Sequence, residues 1–285
     1  MDLTRTRIQQ IAEMLTDVGE RELMPRFLAQ LPNRVFEKTS AFDVCSEADQ
    51  AAEQQLTDQI AKIFPGVTVV GEEATGHDPD AIAKLGTAEI AILIDPIDGT
   101  KNFTSGVPLF GMMIAGLRRG EVVFAAIHDP VCKETALALR GEGSWMLRTE
   151  GAETELRVAL LCTPEHMNIV AGTNFLPPEL LPAVQRNLPK FAMNFWLRCA
   201  AHEYRMAAGG HCELLVYNRL MPWDHAAGWL LHREAGGYSA HFDGSVYHPT
   251  HTTGGLICAP DRDSWVAARD TLFGDKFIKN TPPNA

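Results

Sequence analysis

A chain of 285 residues with a formal net charge of −11 is poorly suited to binding nucleic-acid backbone, because that affinity rests on clustered Lys and Arg neutralising phosphates. With 46% hydrophobic and 21% charged residues, all in short apolar runs, it is expected to be a soluble globular protein, and nothing approaches the ~20 apolar residues of a membrane span. Six scattered cysteines without a C-x-x-C pair argue for reduced thiols rather than structural zinc or a redox motif, and the polar N-terminus lacks the apolar stretch of a secretion signal, so a cytoplasmic location is expected.

From Asp2 to about Leu31, the apolar residues Ile8, Ile11, Leu15, Val18, Leu23 and Phe27 recur at near-helical spacing. They predict an amphipathic helix broken near Gly19. Ser46 with Asp49 resembles a capping box opening a second helix through Ala52, Leu56, Ile60 and Phe64, closed by Pro65-Gly66. Residues 67–70 read as a strand ending in Gly71-Glu72-Glu73. Residues 90–94 read as a buried strand ending at Asp95-Pro96-Ile97-Asp98-Gly99-Thr100.

At that second strand end Pro96 resists ladder pairing and Gly99 admits a positive φ, so the chain is expected to turn and converge Asp95, Asp98 and Thr100. Converging carboxylates repel unless a cation neutralises them, which makes a hard divalent metal the natural third party. A loop held by Asx-type turn bonds is the alternative. If the two strands run side by side, Glu72 or Glu73 meets Asp95. Backbone N–H groups at Gly99 and Thr100, if they open a helix, would cradle phosphate oxygens.

Beyond this, residues 110–117 and 121–128 flank Arg118-Arg119-Gly120 as a hairpin, and residues 133–139 and 145–147 extend it into an antiparallel meander. Polar residues and glycines over 141–155 suggest a boundary, dividing the chain into an N-terminal α+β unit (1–150) and a C-terminal α/β unit (151–285). In the second unit strands are expected at 168–171, 191–196, 213–217 and 255–259, and helices at 178–187, 200–208, 224–234 and 261–272. Taken alone, Asp224 is an N-cap or first-turn carboxylate favoured by the helix dipole. Residues 280–285 are expected to fray. The histidines His241, His248 and His251 lack zinc-site spacing. His225 and His232 read as packing or surface residues, and Trp145, Trp196, Trp223 and Trp229 as core or interface.

Gly71-Glu72-Glu73, the Asp95 to Thr100 segment and Trp223-Asp224, in this order, together resemble the signature of the inositol monophosphatase family. The resemblance runs from Lys38 and residues 43–49 to the turn at 234–237. It implies a layered αβαβα sandwich of the inositol monophosphatase and fructose bisphosphatase type, a homodimer, and magnesium-dependent hydrolysis of a small phosphorylated metabolite. It also implies two or three magnesium ions. Glu72, Asp95 and the Ile97 carbonyl would hold one, Asp95, Asp98 and Asp224 a second, and Glu72 would help with a weaker third. Thr100 would stand beside the attacking water, with Glu72 and Asp49 assisting its activation, and Lys38 matches a family lysine near the metals.

The pattern departs where substrate is chosen. Inositol-specific members carry a glutamate six residues before the Trp of Trp-Asp, where this chain has Tyr217, and a Gly-Ser/Thr-Ala turn, where ungapped counting gives Leu197-Arg198-Cys199. Arg198 and Arg205 bring positive charge there and suggest a second anionic group on the substrate. The alternative is that they pair with Glu203 or Glu213. Phosphatases acting on 3'-phosphoadenosine 5'-phosphate, fructose 1,6-bisphosphate or histidinol phosphate are the nearest alternatives. A regulatory binding protein on the same fold is the rival of another class.

Overall fold

The computed structural model describes residues 4–28, 33–40, 43–76, 80–148 and 150–274. The ends of the first predicted helix and the tail at 280–285 lie outside them. Helix α1 (Arg5–Val18) is capped by Thr4, whose side chain accepts from the Arg7 N–H, and it buries Ile8, Ile11, Leu15 and Val18. At Gly19 the helix does not break. It widens into a π turn, Gly19–Leu23, and resumes as α2 (Met24–Phe27), a one-residue insertion of the kind that interrupts α-helices without ending them.

A short hairpin, β1 (Val35–Ser40) and β2 (Asp43–Ser46), leads into α3 (Glu47–Ile63), whose Ser46/Asp49 capping box is present. Then come β3 (Thr68–Gly71), α4 (Glu72–Thr75), α5 (Ala81–Leu85), β4 (Ile90–Asp98) and α6 (Thr100–Thr104). The meander β5 (Gly111–Arg118), β6 (Glu121–Asp129), β7 (Glu134–Leu139), β8 (Gly143–Arg148) and β9 (Glu153–Glu155) completes a seven-stranded sheet in sequence order. Residues 141–155, expected to mark a boundary, thus carry its last two strands. Strands β3 and β4 are parallel neighbours, and the remaining pairs are antiparallel.

One expectation is corrected here. Strand β4 does not end at Ile94: Asp95 still pairs with Met113 and Asp98 with Gly111, with an irregularity between them. Pro96, lacking an N–H, is accommodated in that irregular stretch. The turn comes at Gly99, in the left-handed region at φ +84°.

The second sheet is formed by β10 (Asn168–Ala171), β11 (Met193–Phe195), β12 (Leu214–Tyr217), β13 (Tyr238–Ala240) and β14 (Leu256–Ala259), in the order β11-β10-β12-β14-β13. Its helices are α7 (Leu181–Asn187), α8 (Ala200–Ala208), α9 (Pro222–Glu234) and α10 (Arg262–Phe273). Strand β13 escaped the sequence reading because three residues carry too little periodicity.

Alternation along the strands sorts the core into layers. Ile92, Ile94, Met112 and Ile114 pack under α1 and α3. Leu93, Met113 and Ala115 face α8 and α9, whose far side meets Leu215 and Cys258 of the second sheet. Leu214, Val216 and Ile257 pack on α7 and α10. The result is the αβαβα sandwich that the resemblance implies. Each fully buried aliphatic chain contributes roughly 1.5–3 kcal/mol. All six cysteines are free, and among the described residues no helix is long and apolar enough to cross a membrane.

Candidate active site

Parallel pairing of β3 with β4 sets the end of β3 beside Ile94 and Asp95 of β4, and α9 points its first turn at the same place. One carboxylate oxygen each from Glu72, Asp95 and Asp224 lies within 4.8 Å of the others. Glu72 opens α4 directly after β3. Asp224 is the third residue of α9, behind Pro222, with Met221 at the cap, so it is a first-turn residue rather than the cap itself.

Beneath Glu72 lies a residue that the motifs did not point to. Glu53 of α3 is buried, and its two oxygens accept the N–H groups of Glu73 and Ala74, each at 2.8 Å. A side chain at Gly71 would overlap the Glu53 carboxyl, so glycine is required there. Glu53 thereby fixes the backbone that carries Glu72. Its signal in sequence was only one more glutamate on a helix.

These carboxylates are held short of positive charge. Burial pushes Asp95 and Asp224 well above the usual carboxylate range, and the nearby charges of Glu72 and Asp98 push the same way. Burial likewise raises Asp98 to about 6, against the Ala201 N–H and the Cys199 thiol, and Asp49 to about 7, against the Ser46 hydroxyl. Lys38 reaches in, with Nζ 2.8 Å from Glu72 Oε1 and 2.6 Å from Glu73 Oε1. Burial would depress its ammonium, but those two carboxylates hold it well above the ordinary lysine range.

Asp95 Oδ1 is buried without a hydrogen-bond partner. An all-oxygen donor set, mutually repelling and containing an orphaned buried carboxylate oxygen, suits a hard divalent cation.

Thr100 opens α6 beside this cluster. Its hydroxyl lies 3.1 Å from Asp49 Oδ1 and 2.8 Å from the Ile97 carbonyl oxygen. The other Asp49 oxygen accepts from the Ser46 N–H at 2.7 Å and the Ser46 hydroxyl at 2.6 Å, so the capping carboxylate of α3 also faces Thr100. A Cβ on Gly99 would stand 2.9 Å from the Leu109 carbonyl oxygen and 3.2 Å from Cys199 Cβ; the positive φ and the close approach both demand glycine.

Asp98 accepts from the Ala201 N–H at the start of α8 and from the Cys199 thiol at 3.1 Å. The small residues against the acidic cluster are therefore Cys199-Ala200-Ala201, not the Leu197-Arg198-Cys199 of the ungapped count.

A cavity of about 630 Å³ opens over the carboxylates, and its opposite wall includes Phe175, Trp196, Arg198, Tyr217, Asn218 and Arg219. Arg198 lines it and donates to Asn102 Oδ1 at 2.9 Å. Arg205 is not among the lining residues: its guanidinium meets Asp129 at 2.7 Å and Glu134 at 3.2 Å. Neither arginine pairs with Glu203 or Glu213 by this geometry. Glu203 is buried, accepts the Leu197 N–H at 3.1 Å, and is pushed up to about 8 chiefly by burial. Tyr217 packs on His225 with ring centroids 4.5 Å apart. Trp145, Trp223 and Trp229 are buried as expected, whereas Trp196 is 47% exposed and faces the cavity. His225 and His232 are buried packing residues. His241 and His251 do meet, ring nitrogens 3.1 Å apart, but outside the acidic cluster.

A profile of the inositol monophosphatase family matches residues 6–271. A Haemophilus influenzae protein named Nus factor SuhB is 32% identical over 234 residues, 77% of this chain and 79% of the relative. An inositol-1-monophosphatase of Mesorhizobium japonicum is 30% identical over 206 residues, 71% of this chain and 73% of the relative. The solved structure of a Thermotoga maritima inositol monophosphatase superposes with a TM-score of 0.77 at 25% identity, covering 96% of this chain and 98% of that one.

Proposed function

This chain belongs to the inositol monophosphatase family, and we propose that it hydrolyses a small phosphate monoester with magnesium and an activated water. The observation that carries the proposal is the convergence of Glu72, Asp95 and Asp224 within 4.8 Å around an unpartnered Asp95 oxygen, at one end of a cavity whose other wall holds arginines. Residues 1–150 would supply most ligands, and residues 151–285 would supply Asp224 and the substrate wall.

In this reading Glu72, Asp95 and the Ile97 carbonyl would hold one magnesium, Asp95, Asp98 and Asp224 would hold a second, and Glu72 would contribute to a third. Bound magnesium supplies neutralisation of the phosphate dianion and a lowered pKa for water. The chain's own residues do the rest. Thr100, held between Asp49 and the Ile97 carbonyl, orients the attacking water through its hydroxyl oxygen and relays a proton toward Asp49, with Glu72 assisting. Asp98, Gly99, Thr100 and Asp224 bound the phosphate end. Arg198 and Tyr217 face the alcohol end. Lys38 holds Glu72 and Glu73 in place from outside. Cytoplasmic location and a homodimer complete the proposal.

The experiment is phosphate release from inositol 1-phosphate, fructose 1,6-bisphosphate, 3'-phosphoadenosine 5'-phosphate and histidinol phosphate at one magnesium concentration. Release that requires magnesium and is lost in Asp95→Asn supports the reading, and the best ester decides among the family's substrates. A second reading, a regulatory binding protein on this fold, is favoured by the relative named Nus factor. It gains if no ester in the panel is hydrolysed, or if Asp95→Asn leaves release unchanged.

A further inference from the structure

Resting on the phosphatase reading above, we propose that the substrate's leaving group carries a flat heteroaromatic ring that stacks on Trp196 at the mouth of the cavity. Trp196 is 47% and Phe175 66% exposed, and both line the same cavity as the carboxylates. Large aromatic faces left open in the same cavity as the acidic cluster offer a surface on which a planar ring can stack.

The backbone points the same way. Among the described residues four non-glycine residues have positive φ. Arg119 and Lys133 lie in the turns of the meander. Phe175, at +60°, and Arg198, at +56°, both belong to this wall. Backbone held in such a conformation persists only where its surroundings enforce it, and the enforcing contacts are present.

Asn218 Nδ2 donates to the carbonyls of Gly172 at 2.8 Å and Asn174 at 2.9 Å, fixing the segment that presents Phe175. The Trp196 indole lies over Gly172, 3.4 Å from where a Cβ would stand, so the ring packs directly on the backbone at position 172. Asn102 of α6 accepts from Arg198 and donates to the Leu197 carbonyl at 2.8 Å, tying the wall to the helix that begins at Thr100.

Position 217, where inositol-specific members carry a glutamate, is Tyr, and the neighbouring Glu203 accepts the Leu197 N–H from a buried setting, so the Asn218 amide oxygen is the acceptor this wall keeps for a hydroxyl. Beside it the wall offers π surface and guanidinium. The Arg219 guanidinium sits 4.6 Å from the Phe175 ring centroid, extending a shelf that suits a planar, electron-rich ring. A nucleoside and an imidazole share that chemistry.

The test compares adenosine 2'-monophosphate, histidinol phosphate and inositol 1-phosphate at one magnesium concentration, in the wild type and in Trp196→Ala. At least one heteroaromatic ester is expected to exceed inositol 1-phosphate about tenfold in kcat/KM, and which one does so separates nucleoside from imidazole. Trp196→Ala is expected to lower the aromatic-to-polyol ratio about tenfold through KM, equivalent to about 1.4 kcal/mol. Tryptophan fluorescence on the same proteins should show quenching by the preferred heteroaromatic ester that Trp196→Ala removes. A wild-type preference for inositol 1-phosphate, or an equal loss for all three esters, overturns the proposal. Absence of phosphate release from every ester counts against the phosphatase reading alone; the stacking proposal falls only if the quenching is absent as well.

Discussion

The floor and the outer wall of the cavity are built by different means. On the floor, Glu72 opens α4 directly after β3, Asp95 lies within the neighbouring strand β4, and Asp224 is in the first turn of α9, so regular hydrogen-bonded elements fix the acidic groups. On the wall, Phe175 and Arg198 sit in left-handed backbone outside regular elements, and Trp196 directly follows the edge strand β11. The acidic groups are thus held by the scaffold, while the residues across the cavity ride on segments pinned by single side chains such as Asn218 and Asn102. A family built this way can change its wall without disturbing its floor.

The sharpest way to break that contrast is at the floor. Asp95→Asn is expected to lower magnesium-dependent kcat/KM on the order of 10³-fold, about 4 kcal/mol of transition-state stabilisation. Its melting temperature without magnesium should not fall, because the substitution removes a repelling charge. A steady-state assay and a thermal melt on one preparation check both halves. Glu53→Gln comes next. The amide retains the shape but offers one good acceptor where Glu53 now accepts two N–H groups, so a magnesium requirement raised by about 10- to 100-fold is expected. A magnesium titration of turnover reads it, and an unchanged half-saturation value would remove Glu53 from any part in holding Glu72.

On the wall the effects should be smaller and confined to selectivity. Arg198→Ala is expected to lower the ratio of bisphosphate to monophosphate turnover by a few-fold, about 1 kcal/mol for one charged contact. An unchanged ratio means that Arg198 serves only to anchor its turn through Asn102. Arg205→Ala should leave the ratio alone and instead lower stability, since its partners are the buried Asp129 and the half-buried Glu134.

The same contrast explains what could be read from the residues. Strand ends and helix starts carry local signals: the run before Asp95, the Ser46/Asp49 box and the periodicity ahead of Pro65 all depend on neighbours a few positions away. Strand β4 ran four residues longer than the apolar run suggested, because ladder pairing with Met113 and Gly111 tolerates Pro96 at an irregularity. Trp196 read as core or interface because indole usually is one or the other, and nothing local says which, or that Gly172 passes beneath it. Glu53, Asn102 and Asn218 act across 20 to 95 residues of sequence, and one chain without its fold does not reveal such pairings.

The smallest expected effect separates the floor from the rest of the molecule by pH. Without metal, burial holds Asp98 near 6 and Asp95 and Asp224 well above the ordinary range. A carboxyl whose folded pKa is raised binds more protons folded than unfolded, so its contribution to stability declines as pH rises from about 4 through the folded value. Buried His232, depressed to about 4, works in the opposite direction: its contribution is present above about 6.5 and is lost as pH falls toward 4. Magnesium acts only on the first slope, because its ligands must give up their protons to bind it. Saturating magnesium should therefore raise the melting temperature by roughly 5–10 °C at pH 7.5 and by distinctly less at pH 5. The His232 slope should be the same with and without the ion. Equal magnesium increments at the two pH values would mean that the floor is already charge-balanced without metal, and that Lys38 alone suffices to hold its carboxylates together.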